Sequence, residues 1–554
     1  MKKLNRKLIV AGSGVVIAGF LLMGLNNIDN KNFEIAKNLD IYFSLFRELN
    51  TFYVDEVDPG KLVKTSIDDM LQSLDPYTNY IAESDIEDFR FMTTGEYGGI
   101  GALISKHGDE IIISEPYENF PAQKSGLRAG DVLLEVSGKS TKNMSTEDVS
   151  NLLKGSAGQT IQVKIKRIGE KKPLELDITR EKIVIDPIAY YGMIDSVTGY
   201  IYLSSFTKDC ADKVKKTFLE LREEEGAKRL IIDLRGNPGG LLIESVNLCN
   251  IFIPKDQEVV STKGKVSEWD KAYKTMANPI DTVIPLVVLV NRGSASASEI
   301  VSGTMQDLDR AVIIGSRTFG KGLVQTTRDL SYNTKLKVTT AKYYIPSGRC
   351  IQALDYTHRN EDGSVGHVPD SLITEFSTKN GRKVFDGGGV VPDIKIEDKE
   401  FSNLSMNLIR QFKVFDFATK FRSENESIPQ IKEFKITDKI YSDFISYIEG
   451  SDFTYTSETQ EILSELKKSA KEEKYLDLAE EQINQLEKTL APNLDRDLNK
   501  FRDEISELLK SEIITRYYYQ KGSSQSAIEN DESVKKALDI LANGEEYKKI
   551  LNLN

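Results

Sequence analysis

PLVVLVNRGSASASEIVSGTMQDLDRAVIIGSRTFGKGLVQ, Pro285 to Gln325, is the stretch from which the rest of the chain can be read. The apolar, β-branched run Leu286 to Val290 predicts a buried strand. Asn291-Arg292-Gly293 breaks it, and Ser296-Ala297-Ser298-Glu299-Ile300 has the form of a helix start. A serine at such a junction holds its hydroxyl clear of the strand end. The next amide, that of Ala297, points from the helix N-terminus toward the place where an oxyanion would form. The hydroxyl needs a base. The three histidines, His107, His358 and His367, lie in stretches without a catalytic pattern, which leaves a Ser-His-Asp triad unsupported. Lys321, in the turn Phe319-Gly320-Lys321-Gly322 after a second apolar strand at Ala311 to Ile314, is the better candidate. A lysine at its reference pKa of ~10.4 is neutral about once in a thousand molecules near pH ~7.5; desolvation that lowers it to ~7–8 makes a usable base. Serine-rich turns also serve as helix caps, and glycine-flanked lysines also sit in water. The residue pattern alone leaves those readings open and does not choose between Ser294 and Ser296.

SASASEI followed by RTFGKGLVQ resembles the active-site signature of the carboxyl-terminal processing peptidases, or tail-specific proteases, of the S41 serine peptidase family. In that signature the lysine follows the nucleophile by 25 positions and a glutamine follows the lysine by four, a spacing met here by Ser296, Lys321 and Gln325. The resemblance implies Ser296 as nucleophile, Lys321 as base and Gln325 as its orienting partner. Arg235-Gly236-Asn237-Pro238-Gly239-Gly240 lies at a strand-to-helix turn, where glycines let backbone approach a ligand and amides bind an anion. DLRGNPGGLL resembles the family segment that supplies the second oxyanion donor, which assigns that role to the amide of Gly239 or Gly240, opposite Ala297. Glu299, three residues past Ser296, reads first as helix first-turn electrostatics, because a carboxylate near Lys321 would oppose its role as base. TTAKYYIPSGRCIQ and GGGVVPDI resemble further family segments, with Cys350 standing where a serine or similar residue is usual.

At 554 residues the chain is too long for one hydrophobic core. A net charge of −12, with both signs interspersed, argues against nucleic acid as the main partner. Cys210, Cys249 and Cys350 are far apart and give no disulfide framework or zinc spacing; apolar packing is the expected fate of each. Lys2, Lys3, Arg6 and Lys7 precede an uncharged run of 18 residues, Leu8 to Leu25. This is a secretory signal peptide or an uncleaved anchor, and under either reading the rest of the chain is extracytoplasmic. The anchor is favoured because no A-x-A site follows at once.

Residues 32–73 read as helical, with apolar positions recurring at three and four. LDPYTNY stops them, and it resembles a segment that precedes the PDZ domain in this family. Ser84 with Glu87 has the form of a capping box for a short helix. From about Thr93 the pattern changes to short strands and glycine turns. The run LRAGDVLLEVSG, Leu127 to Gly138, resembles a PDZ domain, whose use is β-augmentation by a peptide C-terminus. The glycine loop and the residue after it, Gly99, Ile100, Gly101 and Ala102, are then the peptide-binding segment. Beyond Lys399, Leu494, Leu498, Phe501, Ile505 and Leu508 form one helical apolar stripe, read first as intramolecular packing and second as a surface for self-association or an adaptor protein.

The expected architecture is therefore mixed α/β and multidomain. Residues 1–30 are the signal peptide or anchor, 31–92 an N-terminal helical region and 93–182 a small β-rich PDZ domain with helices. Residues 183–398 form an α/β S41 catalytic core of ClpP/crotonase-like type, and 399–554 a helical extension. The expected activity is serine endopeptidase action on extracytoplasmic (periplasmic or cell-envelope) proteins with exposed C-terminal tails, needing no metal or organic cofactor. The rival readings are a non-catalytic PDZ adaptor with a degenerate hydrolase domain and a hydrolase of small acyl substrates.

Overall fold

The computed structural model describes residues 31–360 and 362–553. The expected signal or anchor at residues 8–25 lies outside them. Among the described residues no helix is long and apolar enough to cross a membrane.

The first compact unit runs to Tyr80. The helical reading of 32–73 is interrupted: residues 31–52 are one helix and Pro59–Gln72 a second. The Asp58 carboxylate caps the second helix by accepting from Lys61 N–H at 3.1 Å. Pro59 opens it, where a missing N–H costs nothing. Tyr42 and Ser66 join the two helices, hydroxyl to hydroxyl, at 2.5 Å. After Gln72 the Asp75 carboxylate accepts from the Tyr77 and Thr78 amides at 2.8 Å each, a turn that ends the helix.

The second unit, Ile81–Asn554, carries everything else. Its first helix, Ile86–Thr94, follows a 3-10 turn at Glu83–Asp85. Ser84 is not its cap: the hydroxyl donates to the adjacent Asp85 carboxylate at 2.7 Å instead. An antiparallel sheet then forms from Ala102–His107, Glu110–Pro116, Val132–Val136, Thr160–Lys166 and Leu174–Thr179, in that spatial order. Alternate side chains, among them Ile111, Ile113, Ile161, Val163 and Ile165, fill its core. Ala102–His107 is one edge strand and Leu174–Thr179 the other. The helix Thr146–Leu153 packs near the first, held by a reciprocal capping box between Ser145 and Asp148.

The α/β core is built on a six-stranded sheet in the order Ile188–Met193, Thr198–Leu203, Arg229–Asp233, Leu286–Val290, Val312–Gly315, Ile394–Lys395. The first pair is antiparallel and the rest are parallel. Parallel sheets need cover on both faces, and the strands show it. Ile232, Leu286, Val288 and Val290 face one cluster, which includes residues of the helices Cys210–Glu223, Leu242–Phe252 and Ala297–Asp307. Ile231, Val287, Leu289, Val312 and Ile314 face the other.

Of the seven helices between residues 403 and 528, five gather around Leu408, Phe417, Phe444, Leu498, Ile505 and Leu509, while Glu458–Glu472 and Leu476–Leu490 pack on each other. The stripe read from sequence belongs to this core: Leu498 and Ile505 are fully buried, and Leu494, Phe501 and Leu508 pack against them. The last two helices, Glu532–Ala542 and Gly544–Ile550, leave that bundle and cover the second face of the catalytic sheet with Val534, Ala537, Ile540 and Leu541. The helix bundle also receives the PDZ-like sheet. His107 meets the Asp416 carboxylate at 3.0 Å, Glu115 accepts from Gln520 N–H at 3.1 Å, and Gln123 donates to the Tyr519 hydroxyl at 3.0 Å.

Candidate active site

Two strand-to-helix turns meet at the C-terminal ends of Arg229–Asp233 and Leu286–Val290. Asn237, completely buried, fastens them. Its side-chain amide donates to Leu203 O at 2.8 Å, and its Oδ1 accepts from Gly239 N–H at 2.9 Å. Its carbonyl accepts from Ala295 N–H at 3.0 Å and from the Ser298 hydroxyl at 2.9 Å. Asn291 ties the turns a second time, its Oδ1 accepting from Gly236 N–H at 2.9 Å.

The three serines of the motif now separate. Ser294 is fully buried and donates to Leu234 O at 2.8 Å; Ser298 is fully buried on Asn237. Ser296 alone is partly exposed. It sits at the N-cap of Ala297–Asp307 with φ 56° and ψ −112°, a strained conformation for a residue with a Cβ. Gly239 packs against it so closely that a Cβ there would lie 2.8 Å from the Ser296 Cβ and 2.9 Å from Ala297 N. Gly239 has φ +99°, open to glycine and poor for other residues.

The sequence left the second expected oxyanion donor between the amides of Gly239 and Gly240. Gly239 N–H is already committed to Asn237, whereas among the described residues the amides of Ala297 and Gly240 have no acceptor.

Glu299 departs from the sequence expectation. It does more than complement the helix N-terminus: it is completely buried and accepts four hydrogen bonds. Oε2 takes Ser296 N–H and Lys321 N–H, both at 2.8 Å; Oε1 takes the Thr318 hydroxyl at 2.6 Å and Gly320 N–H at 2.7 Å. Thr318 is itself held as donor, because its oxygen accepts from Val390 N–H at 2.7 Å. Burial pushes the Glu299 carboxyl up to about 7, against these four donors, which favour the charged form. The Lys321 backbone is thereby joined to the Ser296 turn through one shared carboxylate oxygen. Gln325 lies on Leu323–Asp329, where its side-chain amide donates to Thr339 Oγ1 at 3.1 Å.

Sequence reasoning missed Asn237 and Tyr343 as well. The Tyr343 hydroxyl donates to Lys321 O at 2.5 Å and lies 3.2 Å from Ser296 O. The polar residue inside the glycine turn was a readable signal for Asn237; Tyr343 lies in the quoted segment TTAKYYIPSGRCIQ, where nothing singled out its hydroxyl.

In the PDZ-like region Gly101 has φ +72°, and a Cβ there would lie 2.5 Å from that of Phe120. Ile100 is buried in the core, so its backbone rather than its side chain lines the loop. Ala102 opens one edge strand. Of the histidines, His107 pairs with Asp416 and His358 with Asp355 at 2.8 Å. Cys210 and Cys249 are buried and Cys350 is half-buried, all as thiols.

The profile of peptidase family S41 matches residues 197–358, that of a PDZ domain residues 112–167, and that of the C-terminal helical domain of probable PDZ-proteases residues 404–541. A carboxy-terminal-processing protease of Bartonella bacilliformis is 34% identical over 356 residues, covering 64% of this chain and 81% of that protein. A probable CtpA-like serine protease of Staphylococcus aureus is 32% identical over 431 residues, covering 76% of this chain and 80% of its own length. The solved photosystem II D1 C-terminal processing protease shares 30% identity, covering 64% of this chain and 92% of that one, with a TM-score of 0.35.

Proposed function

This chain belongs to the carboxy-terminal-processing proteases of peptidase family S41, and from that premise we propose that it cleaves tailed extracytoplasmic proteins with Ser296 as nucleophile and Lys321 as base. The family membership makes it a serine-type endopeptidase with a PDZ domain.

In the proposed reaction the neutral Lys321 amine takes the Ser296 hydroxyl proton as Oγ attacks the scissile carbonyl carbon. The carbonyl oxygen becomes an oxyanion between the amides of Ala297 and Gly240. Lys321 then gives its proton to the departing amine, leaving an acyl-serine. Water, deprotonated by Lys321, attacks that ester, and Ser296 leaves with the proton. Gln325 would steady the lysine from the neighbouring strand. The PDZ domain would take the substrate tail as an added strand along Ala102–His107, with the terminal carboxylate on the amides of Gly99 to Gly101. The apolar run behind four cationic residues supports an extracytoplasmic location.

One observation carries the reading. Of the three motif serines, Ser296 alone is accessible, and it stands strained beside a free helix-terminal amide on the turn that Glu299 joins to Lys321. The test is Ser296→Ala and Lys321→Ala, each assayed on an unfolded protein with a free C-terminal tail. Both are expected to be folded and inactive; cleavage by either refutes the dyad.

A further inference from the structure

A Ser/Lys pair differs from a triad in having no third residue that clearly joins nucleophile to base. The two must nevertheless be held to a fraction of an ångström for proton transfer. Here they sit on separate elements, Ser296 at a helix start and Lys321 in a loop leading to a strand of a different sheet. What fixes their separation is visible in the backbone contacts. One Glu299 oxygen accepts from the N–H of both residues at 2.8 Å, and one Tyr343 hydroxyl lies 2.5 Å and 3.2 Å from their carbonyl oxygens. Both N–H groups are thus held by one carboxylate oxygen, and the Tyr343 hydroxyl, donating to Lys321 O, also lies against Ser296 O.

We propose that Glu299 and Tyr343 act as a clamp that sets the distance between the nucleophile and base backbones, each as a positioning residue that touches neither substrate nor reacting atoms. The inference rests on the Ser296/Lys321 assignment.

Three further facts support it. Glu299 is completely buried and accepts from three backbone amides and one hydroxyl, so its carboxylate is committed to fixing backbone on two elements. The same carboxylate also fixes Gly320 and Thr318, the residues before Lys321, so the lysine loop is held along its length. Tyr343 is 1% exposed, and its strand, Lys335–Tyr344, pairs with Leu323–Asp329, which begins two residues after Lys321. The clamp is therefore anchored in the sheet that carries the base, while Glu299 belongs to the helix that carries the nucleophile.

The clamp is tested in the full chain with Tyr343→Phe and Glu299→Gln, beside Ser296→Ala. Phenylalanine keeps the ring and its packing and deletes only the hydroxyl. Glutamine replaces one acceptor oxygen by an NH2 that faces donors. Tyr343→Phe is expected to lower kcat about 10- to 50-fold, with KM within twofold and circular dichroism unchanged. Its kcat–pH profile should shift upward by at least half a unit, because a lysine free to drift into water recovers proton affinity. Glu299→Gln is expected to lose at least about 100-fold. Labelling of Ser296 by a fluorophosphonate should slow in parallel in both. If Ser296→Ala is inactive while Tyr343→Phe keeps kcat within twofold, the clamp is wrong and the dyad stands. A kcat loss in Tyr343→Phe with KM rising in step and the pH profile in place is equally fatal, since it marks a purely structural role. Cleavage by Ser296→Ala overturns the underlying assignment instead. Should Glu299→Gln fail to fold, Tyr343→Phe decides alone.

Discussion

Replacing Gly239 by alanine tests the oxyanion geometry directly. The added methyl would lie 2.9 Å from Ala297 N, 2.8 Å from the Ser296 Cβ and 2.7 Å from Ala295 O. The first value is the distance at which an acceptor sits from an amide. Under the proposed mechanism a methyl there crowds the Ala297 amide and weakens it as a donor to the oxyanion. Loss of one such donor costs about 10²–10³ in kcat. Gly239 also has φ +99°, where a side chain adds strain of about 1–2 kcal/mol, or a fall in Tm of roughly 2–8 °C. The control is Gly236→Ala in the same turn, also at positive φ (+68°) but with its nearest new neighbour, the Tyr202 hydroxyl, at 3.9 Å. Steady-state cleavage of a tailed unfolded protein, with Tm measured on the same samples, separates strain from chemistry. Gly236→Ala should lose Tm and keep kcat within about threefold; Gly239→Ala should lose both. If Gly239→Ala stays folded and within threefold of wild type, or if the two variants fall together, the assignment of Ala297 as an oxyanion donor is refuted.

Other outcomes follow from burial. Burial pushes Glu115, 8% exposed where the PDZ domain meets the helix bundle, up to about 7 from an ordinary 4.5. Because the folded state then holds the proton more tightly than the unfolded one, stability should be greatest below pH ~4.5 as far as this group is concerned and fall as pH rises through about 7. The loss is on the order of 3 kcal/mol by pH 8. Glu115→Gln removes that dependence, so the Tm difference between variant and wild type should grow from pH 5 to 8; a constant difference counts against it. Asp307 and Arg349 form a buried pair at 2.8 Å, 0% and 1% exposed, so Asp307→Ala should cost about 3–5 kcal/mol in urea unfolding. The double change Asp307→Leu with Arg349→Met should recover most of it. Ile540→Ala, in the penultimate helix, should destabilise the catalytic sheet by about 2–5 kcal/mol, read as earlier loss of activity in urea, although it lies more than 200 positions from Ser296.

The two central strands at Leu286–Val290 and Val312–Gly315 were legible because each lies in an apolar run. Leu286–Val290 begins and ends where periodicity puts it, since a strand buried on both faces leaves no ambiguity. The nucleophile turn was legible as a strand followed by a helix start. The choice among its serines was not, because it depends on which hydroxyls find carbonyls on the neighbouring turn. Glu299 was misjudged for a related reason. Within its own helix it is a first-turn acid, and only the return of residues 318–321 beside it supplies three of its four donors. The role of Tyr343 depends on the fold bringing its strand beside Lys321 and Ser296, which the segment itself does not disclose. The break at residues 53–58 was overlooked although Asp58-Pro59 is a good helix start, because apolar spacing on either side masked it. The fate of residues 532–551 could not be read, since an amphipathic helix does not disclose which apolar surface it covers.

That last packing has a temporal meaning. Leu286 N–H, on the strand leading to the nucleophile, donates at 3.0 Å to the hydroxyl of Tyr547, 261 positions later. Arg235, in the other turn of the site, pairs at 2.6 Å with Asp531, which caps the covering helix. A growing polypeptide lacking these residues would carry both turns on a sheet with one bare face, its Val287, Leu289, Val312 and Ile314 uncovered. Contacts so distant along the chain form late. The two turns of the candidate site are therefore fixed in their final places late in folding, by residues 261 and 296 positions away.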